Sequence, residues 1–268
     1  MMDTRNPMNA VEAVDAVHPL HAVHPLHARF PVMLNILIRM QVARLRRSWR
    51  PYVIVSAVMP AGIVLLLNLV APTMPTSARI QVILGAVVLS QSIVGIVMLS
   101  QQVAWLKASK ALDHYRVLPV SLSTLILAMT VVYSLFAWPG ILLIGLEGNL
   151  LDHLHLIWNP ALLPVLLLEG VALGSLGTIV GLLAPDEGLA GLIGNLLMMG
   201  VLFGGMVPLN SLTMKILLWC LPSTYGLQLL NLGATGEPGN WFVPGLGLLF
   251  YAGLGWFLAT WLMRRPAR

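Results

Sequence analysis

The chain has 268 residues, of which 58% are apolar and only 9% are charged, against roughly a quarter charged in an ordinary soluble domain. So few charges cannot coat a water-facing surface of this size, which argues against a soluble enzyme and against a disordered or collagen-like chain. The lone Cys220 excludes an internal disulfide framework, and the excess of 15 basic over 10 acidic residues has to be read from position.

Residues 1–28 read as a flexible cytoplasmic tail. It carries a tandem hexamer, Ala16-Val17-His18-Pro19-Leu20-His21 followed by Ala22-Val23-His24-Pro25-Leu26-His27. Pro19 and Pro25 forbid a continuous helix, so the four histidines form no helical ligand face, and a tolerated duplication is favoured over a metal site. The acidic Asp3, Glu12 and Asp15, with no apolar core near them, argue against a cleavable signal peptide. Residues 29–50 then predict an amphipathic interfacial helix, with Asn35, Arg39, Arg46 and Arg50 on one face and Met33, Leu37 and Met40 elsewhere. Its cations suit anionic headgroups.

A bilayer core needs about 20 consecutive apolar residues. Six stretches qualify: Tyr52–Val70, Ile80–Leu99, Val120–Leu146, Ala161–Ala184, Leu189–Val207 and Trp241–Met263. The expected fold is therefore an all-α integral membrane protein with six transmembrane helices. Thirteen basic residues fall before the first span, between spans two and three, or after the last; only Arg79 and Lys215 fall on the other side. The positive-inside rule puts both termini in the cytoplasm of a cell (inner or plasma) membrane, and no nucleic acid is needed to explain the basic excess.

The 100–119 connection predicts a short cytoplasmic helix. Trp105, Leu112 and Tyr115 would rest on the bundle, while Lys107, Lys110 and His114 face the cytosol. Asp113 stands three residues from both Lys110 and Arg116. Such a helix could dock a soluble partner or be an ordinary solvated loop. In the fourth span Gly170, Gly174, Gly177 and Gly181 form one stripe of the kind that lets helix backbones approach closely. The simplest reading pairs spans four and five across the turn Pro185-Asp186-Glu187-Gly188. Glu169 is the only ionisable residue inside a predicted span. It is a candidate for proton or cation coupling or for substrate contact, or a bond to a neighbouring helix.

Residues 208–240 are too apolar for a solvated loop. Pro208 breaks the chain, and two runs of about ten residues, Leu212–Leu221 and Ser223–Leu232, flank Pro222. Too short to span, they predict a broken re-entrant pair that also carries Tyr225. None of the three lysines follows a glycine, so a P-loop is absent; no His-Glu-x-x-His occurs; and Asp152, His153 and His155 are a weak metal cue. No enzyme chemistry, metal or bound cofactor is expected of this chain.

This organisation resembles the type-2 ABC exporter permeases, in particular their small drug-efflux and antibiotic-resistance branch, over about residues 30–265. The likeness rests on the amphipathic first helix, the cytoplasmic helix after span two and Arg116-Val117-Leu118-Pro119-Val120-Ser121. It rests also on the two proline-marked stretches Phe203-Gly204-Gly205-Met206-Val207-Pro208-Leu209 and Leu221-Pro222-Ser223-Thr224-Tyr225-Gly226. The sequence departs from the family pattern near Leu212–Met214, where a proline is usual, and near Asn231, where a basic residue is usual. The resemblance implies a six-helix permease domain over 29–268, paired in the bilayer with a second permease subunit, usually an identical one. It also implies two cytosolic ABC ATPase subunits, which carry the ATP and Mg. The coupling helix would then be 103–117, with Trp105, Lys107, Lys110, Asp113, His114 and Arg116 toward the ATPase and Arg39, Arg46 and Arg47 at its rim. The cargo would be a lipophilic or amphipathic compound moved outward. The rival readings are a non-transporting scaffold or assembly factor and a secondary carrier coupled through Glu169.

Overall fold

The computed structural model describes residues 30–46, 49–112, 115, 121–151, 154, 156–206, 219–236 and 238–264. The histidine repeat, Arg47, Asp113, His114, Arg116, Pro208 and the bulk of the Leu212–Leu221 run lie outside them. Every regular element among the described residues is helical: α1 (Phe30–Leu45), α2 (Trp49–Val70), α3 (Thr76–Ala108), α4 (Leu122–Leu150), α5 (Leu162–Leu183), α6 (Glu187–Met206), α7 (Pro222–Thr235) and α8 (Phe242–Arg264). That follows from the solvent. In hydrocarbon each backbone amide must be bonded within its own segment, which helices do and open sheets do not.

Among the described residues, α2, α3, α4, α5 and α8 are by length and composition the five helices able to cross a bilayer, while the apolar stretch Glu187–Leu202 of α6 is shorter. Their most apolar windows are 78% buried in α3 and 72% in α5, but 22% in α2 and 28% in α8. The molecule thus has an inner pair, α3 and α5, and two outer helices. The outer pair present Ile54, Val58, Leu66 and Leu69, and Phe242, Phe250 and Phe257, away from the bundle.

Local sequence sets the ends. Ser121 caps α4, its Oγ accepting from the Thr124 amide at 3.1 Å. Asp186 does the same for α6 through the Leu189 amide at 2.8 Å. Pro222 opens α7 at its first turn, where the missing amide hydrogen costs nothing, and Gly236 closes it with φ +69°. α7 has 14 residues, about 21 Å at 1.5 Å per residue, too short for a bilayer core.

Several expectations need correction. The start of the expected cytoplasmic helix belongs to span two: α3 runs unbroken from Thr76 to Ala108, 33 residues, and after a turn at Ser109–Lys110 residues 111, 112 and 115 are again helical. A six-residue π-helical segment, Ile93–Met98, lies within it. At about 50 Å it outruns a hydrocarbon core of roughly 30 Å, so Trp105 and Lys107 ride on the same rod as the span. The interfacial helix ends at Leu45, and Arg50 belongs to α2; the four-residue polar face drawn through Arg50 is therefore split between two helices. Glu147 lies inside α4 and is 7% exposed, so Glu169 is not the only acid buried along a crossing helix.

The glycine stripe packs elsewhere than expected. Side chains added at Gly177 and Gly181 would run into the α3 backbone at Gly95, Ile96 and Ser100; additions at Gly170 and Gly174 would meet Ser134 and Thr130 of α4. On α6, Gly191 lies against Gln101 and Gly194 against Ser100 and Val97, again on α3. The glycines of α5 and α6 do not zip those two helices together. They seat both around α3.

Candidate functional site

Two places gather the polar residues. The first is the end of the bundle where α3 finishes. Lys107 was expected to face outward; instead its Nζ donates to the Leu182 carbonyl at 2.9 Å and to the Ala184 carbonyl. These are carbonyls at the C-terminal end of α5, which lack partners in their own helix and carry the negative end of its dipole. The ammonium caps α5 and ties it to α3. Trp105, expected on the bundle, is 44% exposed, and the Arg44 guanidinium of α1 stands 5.1 Å from its ring centroid. Trp105 and Lys107 thus exchange the places expected of them, the cation being drawn inward to the α5 carbonyls. Lys110 is exposed at φ +57° in the turn that ends α3. Arg39 and Arg46 are exposed along and just past α1. Leu112 is buried and Tyr115 packs on the core, as expected.

Arg44, Tyr52, Met98, Gln101, Gln102, Trp105 and Glu187 line a cavity of about 300 Å³ at this end. None but Trp105 stood out in the sequence. They come from α1, α2, α3 and α6, and no spacing links Arg44 to Trp105 or Gln102 to Glu187.

The second place is the middle of the bundle. Ser90, Gln91 and Ser92 of α3 are fully buried. The Gln91 amide donates to the Leu166 carbonyl of α5 at 3.0 Å and its oxygen accepts from Ser134 Oγ at 3.4 Å, while Ser90 Oγ donates to the Ala137 carbonyl at 3.3 Å. Such bonds join helices where apolar packing against lipid gives little preference. Glu169 sits beside this cluster at 0% exposure, and neither carboxylate oxygen has a hydrogen-bond partner among the described residues. Its carboxyl group lies on the bare backbone of Gly226 in α7, the space a Cβ would take. An orphaned buried acid is costly, which marks it as a group with a task or with a partner in another state.

At α7 itself the Trp219 carbonyl accepts from Tyr225 Oη at 3.0 Å and from Tyr251 Oη of α8 at 3.1 Å. The Tyr225 ring fills the gap over Gly247. Tyr225 and Pro222 therefore fix the start of α7 against the last helix. Among the described residues no three of His, Cys, Asp or Glu come together as a metal site.

The ABC-2 type transporter family matches residues 33–233, three quarters of the chain. The chain belongs to that family. No curated protein matches it. The match runs from α1 through α7 and so covers both polar places. An ABC-2 membrane domain is the multi-pass permease component of an ABC transporter; it works with ABC ATPase partners and does not itself hydrolyse ATP.

Proposed function

We propose that this permease belongs to the small drug-efflux branch and moves a lipophilic or amphipathic compound outward, as a homodimer served by two ATPase subunits that bind ATP and Mg. α6 would complete a sixth span, α7 would lie re-entrant on the outer side, and both termini would be cytosolic. The observation that carries the reading is α3 with its tie to α5. One rod runs from the polar centre of the bundle to the basic end, and Lys107 fastens a second inner helix to its tip. A push on the Trp105–Lys110 end would move both inner helices together. Thr130, Ser134 and Glu169 lie along that moving surface.

The ATPase-facing role expected of Lys107 passes, on this reading, to the outward-facing Trp105, Lys110, Arg39 and Arg46. The test co-expresses the full chain with its cognate ATPase, purifies through a tag on the permease, and measures ATP hydrolysis and efflux in lipid. Lys110→Glu combined with Arg46→Glu should cut captured ATPase severalfold at unchanged gel-filtration profile. Failure to capture any ATPase defeats the proposal and favours the scaffold reading. Transport that survives ATP depletion but is lost in Glu169→Gln establishes the secondary carrier instead.

A further inference from the structure

The cavity at the end of α3 holds two opposite charges that do not meet. Arg44 enters from α1 and Glu187 from the first turn of α6, and neither has an ion-pair partner among the described residues. Tyr52, Gln101 and Gln102 complete the walls. Gln102 Nε2 is buried with no acceptor. The Trp105 ring carries the Arg44 guanidinium over its face, 5.1 Å from the centroid, and holds that cation at the cavity wall.

A cation at one side and a single carboxylate at the other are complementary to a zwitterion. A phosphate would take the guanidinium. An ammonium a short linker away would take Glu187 through its N–H groups. A second anionic group in place of the ammonium would meet the carboxylate of Glu187 unfavourably. A trimethylammonium has no N–H to give it.

The position indicates where such a molecule comes from. On α1, Val32, Ile36 and Met40 are spaced four apart and exposed, an apolar stripe turned away from the bundle. In a membrane protein that stripe lies in acyl chains, with α1 along the interface. Arg44 follows Met40 by one turn, which places the cavity at headgroup depth.

We infer that this cavity binds the headgroup of an aminophospholipid, its phosphate held by Arg44 and its primary ammonium by Glu187. The site joins α1, α2, α3 and α6, so an occupied cavity clamps the interfacial helix to the inner rod. The inference rests on the chain being a membrane protein and not on the proposed ATPase contacts.

Native mass spectrometry of the full chain in detergent tests it, with phosphatidylethanolamine, phosphatidylglycerol or phosphatidylcholine of matched acyl chains added in turn. The wild type should retain phosphatidylethanolamine about tenfold better than phosphatidylcholine, the scale of one charge-assisted hydrogen bond. Arg44→Gln should lower retention of both phosphatidylethanolamine and phosphatidylglycerol about tenfold. Glu187→Gln should lower phosphatidylethanolamine to the level of phosphatidylglycerol and leave the latter unchanged. Equal retention of the three lipids by the wild type, which needs no variant to fold, overturns the inference. So does displacement of the lipid by micromolar soluble phosphoethanolamine, which would make the ligand a free metabolite. If both variants lose captured ATPase while lipid retention stays at the wild-type level, the cavity is an ATPase contact and the inference is wrong.

Discussion

Gly177→Ala probes the join between the two inner helices. A Cβ there would stand 2.8 Å from the Ile96 carbonyl oxygen and 3.0 Å from Ile96 Cα, and nearer still to the Gly95 carbonyl. All three are backbone atoms, inside the π-helical segment of α3, so no rotamer change relieves the clash. Carbon contacts are comfortable at about 3.5–4.0 Å, so the helices must part by roughly 1 Å at this point. A radial gap of about 0.5–1 Å forfeits a quarter to a half of each atom pair's attraction. The loss spreads to the contacts of Gly174 on Leu99 and of Gly181 on Ser100 and Val103. Overpacking typically costs about 1–3 kcal/mol, and an immovable obstruction belongs in the upper part of that range. At about 2–4 °C per kcal/mol for a chain of this size, the apparent Tm should fall by roughly 4–12 °C. The assay is thermal unfolding in detergent followed by fluorescence-detected size exclusion, run beside Gly174→Ala and Gly253→Ala. Gly174 would press only on the Thr130 side chain, at 3.1–3.2 Å, and Gly253 meets nothing within 4 Å. The expected order of loss is Gly177 first, Gly174 second and Gly253 least. Gly177→Ala unfolding at the temperature of Gly253→Ala would refute the close approach of α3 and α5.

Lys107→Met keeps the stem but removes the donor to the Leu182 and Ala184 carbonyls. Stability should fall by about 1–2 kcal/mol, and hydrogen exchange should quicken at the C-terminal end of α5 and not at its start. Gly226→Ala would drive a methyl into the Glu169 carboxyl group and should cost about 1–3 kcal/mol. In a Glu169→Ala background most of that cost should vanish, and additive losses in the double-mutant cycle would show that the two residues do not touch. Tyr225→Phe and Tyr251→Phe each remove one donor to the same Trp219 carbonyl. Each should cost about 0.5–1 kcal/mol in thermal unfolding, and their coupling should be non-zero because the acceptor is shared.

The family likeness, read over about residues 30–265, rests on loose apolar patterns and proline positions, which are local features and legible before folding. The polar cavity was not. Arg44 reads as one more positive-inside arginine, Glu187 as a turn acid, and Gln101 and Gln102 as polar residues after a span. Only the crossing of four helices brings them to one wall. The place of Lys107 is hidden from the sequence for a related reason. Its spacing with Lys110 and His114 suggested a solvated face, but α5 presents unfilled carbonyls there, and no feature near Lys107 in the sequence announces them.

Composition by itself determined the solvent, because 58% apolar and 9% charged residues cannot be divided between a core and a wet surface. Runs of about 20 apolar residues likewise determined where the long helices lie, since hydrogen bonding in lipid is satisfied within each segment. What tertiary structure decided is partnership. A stripe of small residues states that something approaches closely, but not what; folding set α3, rather than the neighbouring α6, against Gly177 and Gly181. An isolated acid states only that it is costly; folding placed Glu169 against Gly226 with its oxygens unbonded among the described residues. Helical period is a property of one segment, whereas the face it meets belongs to another.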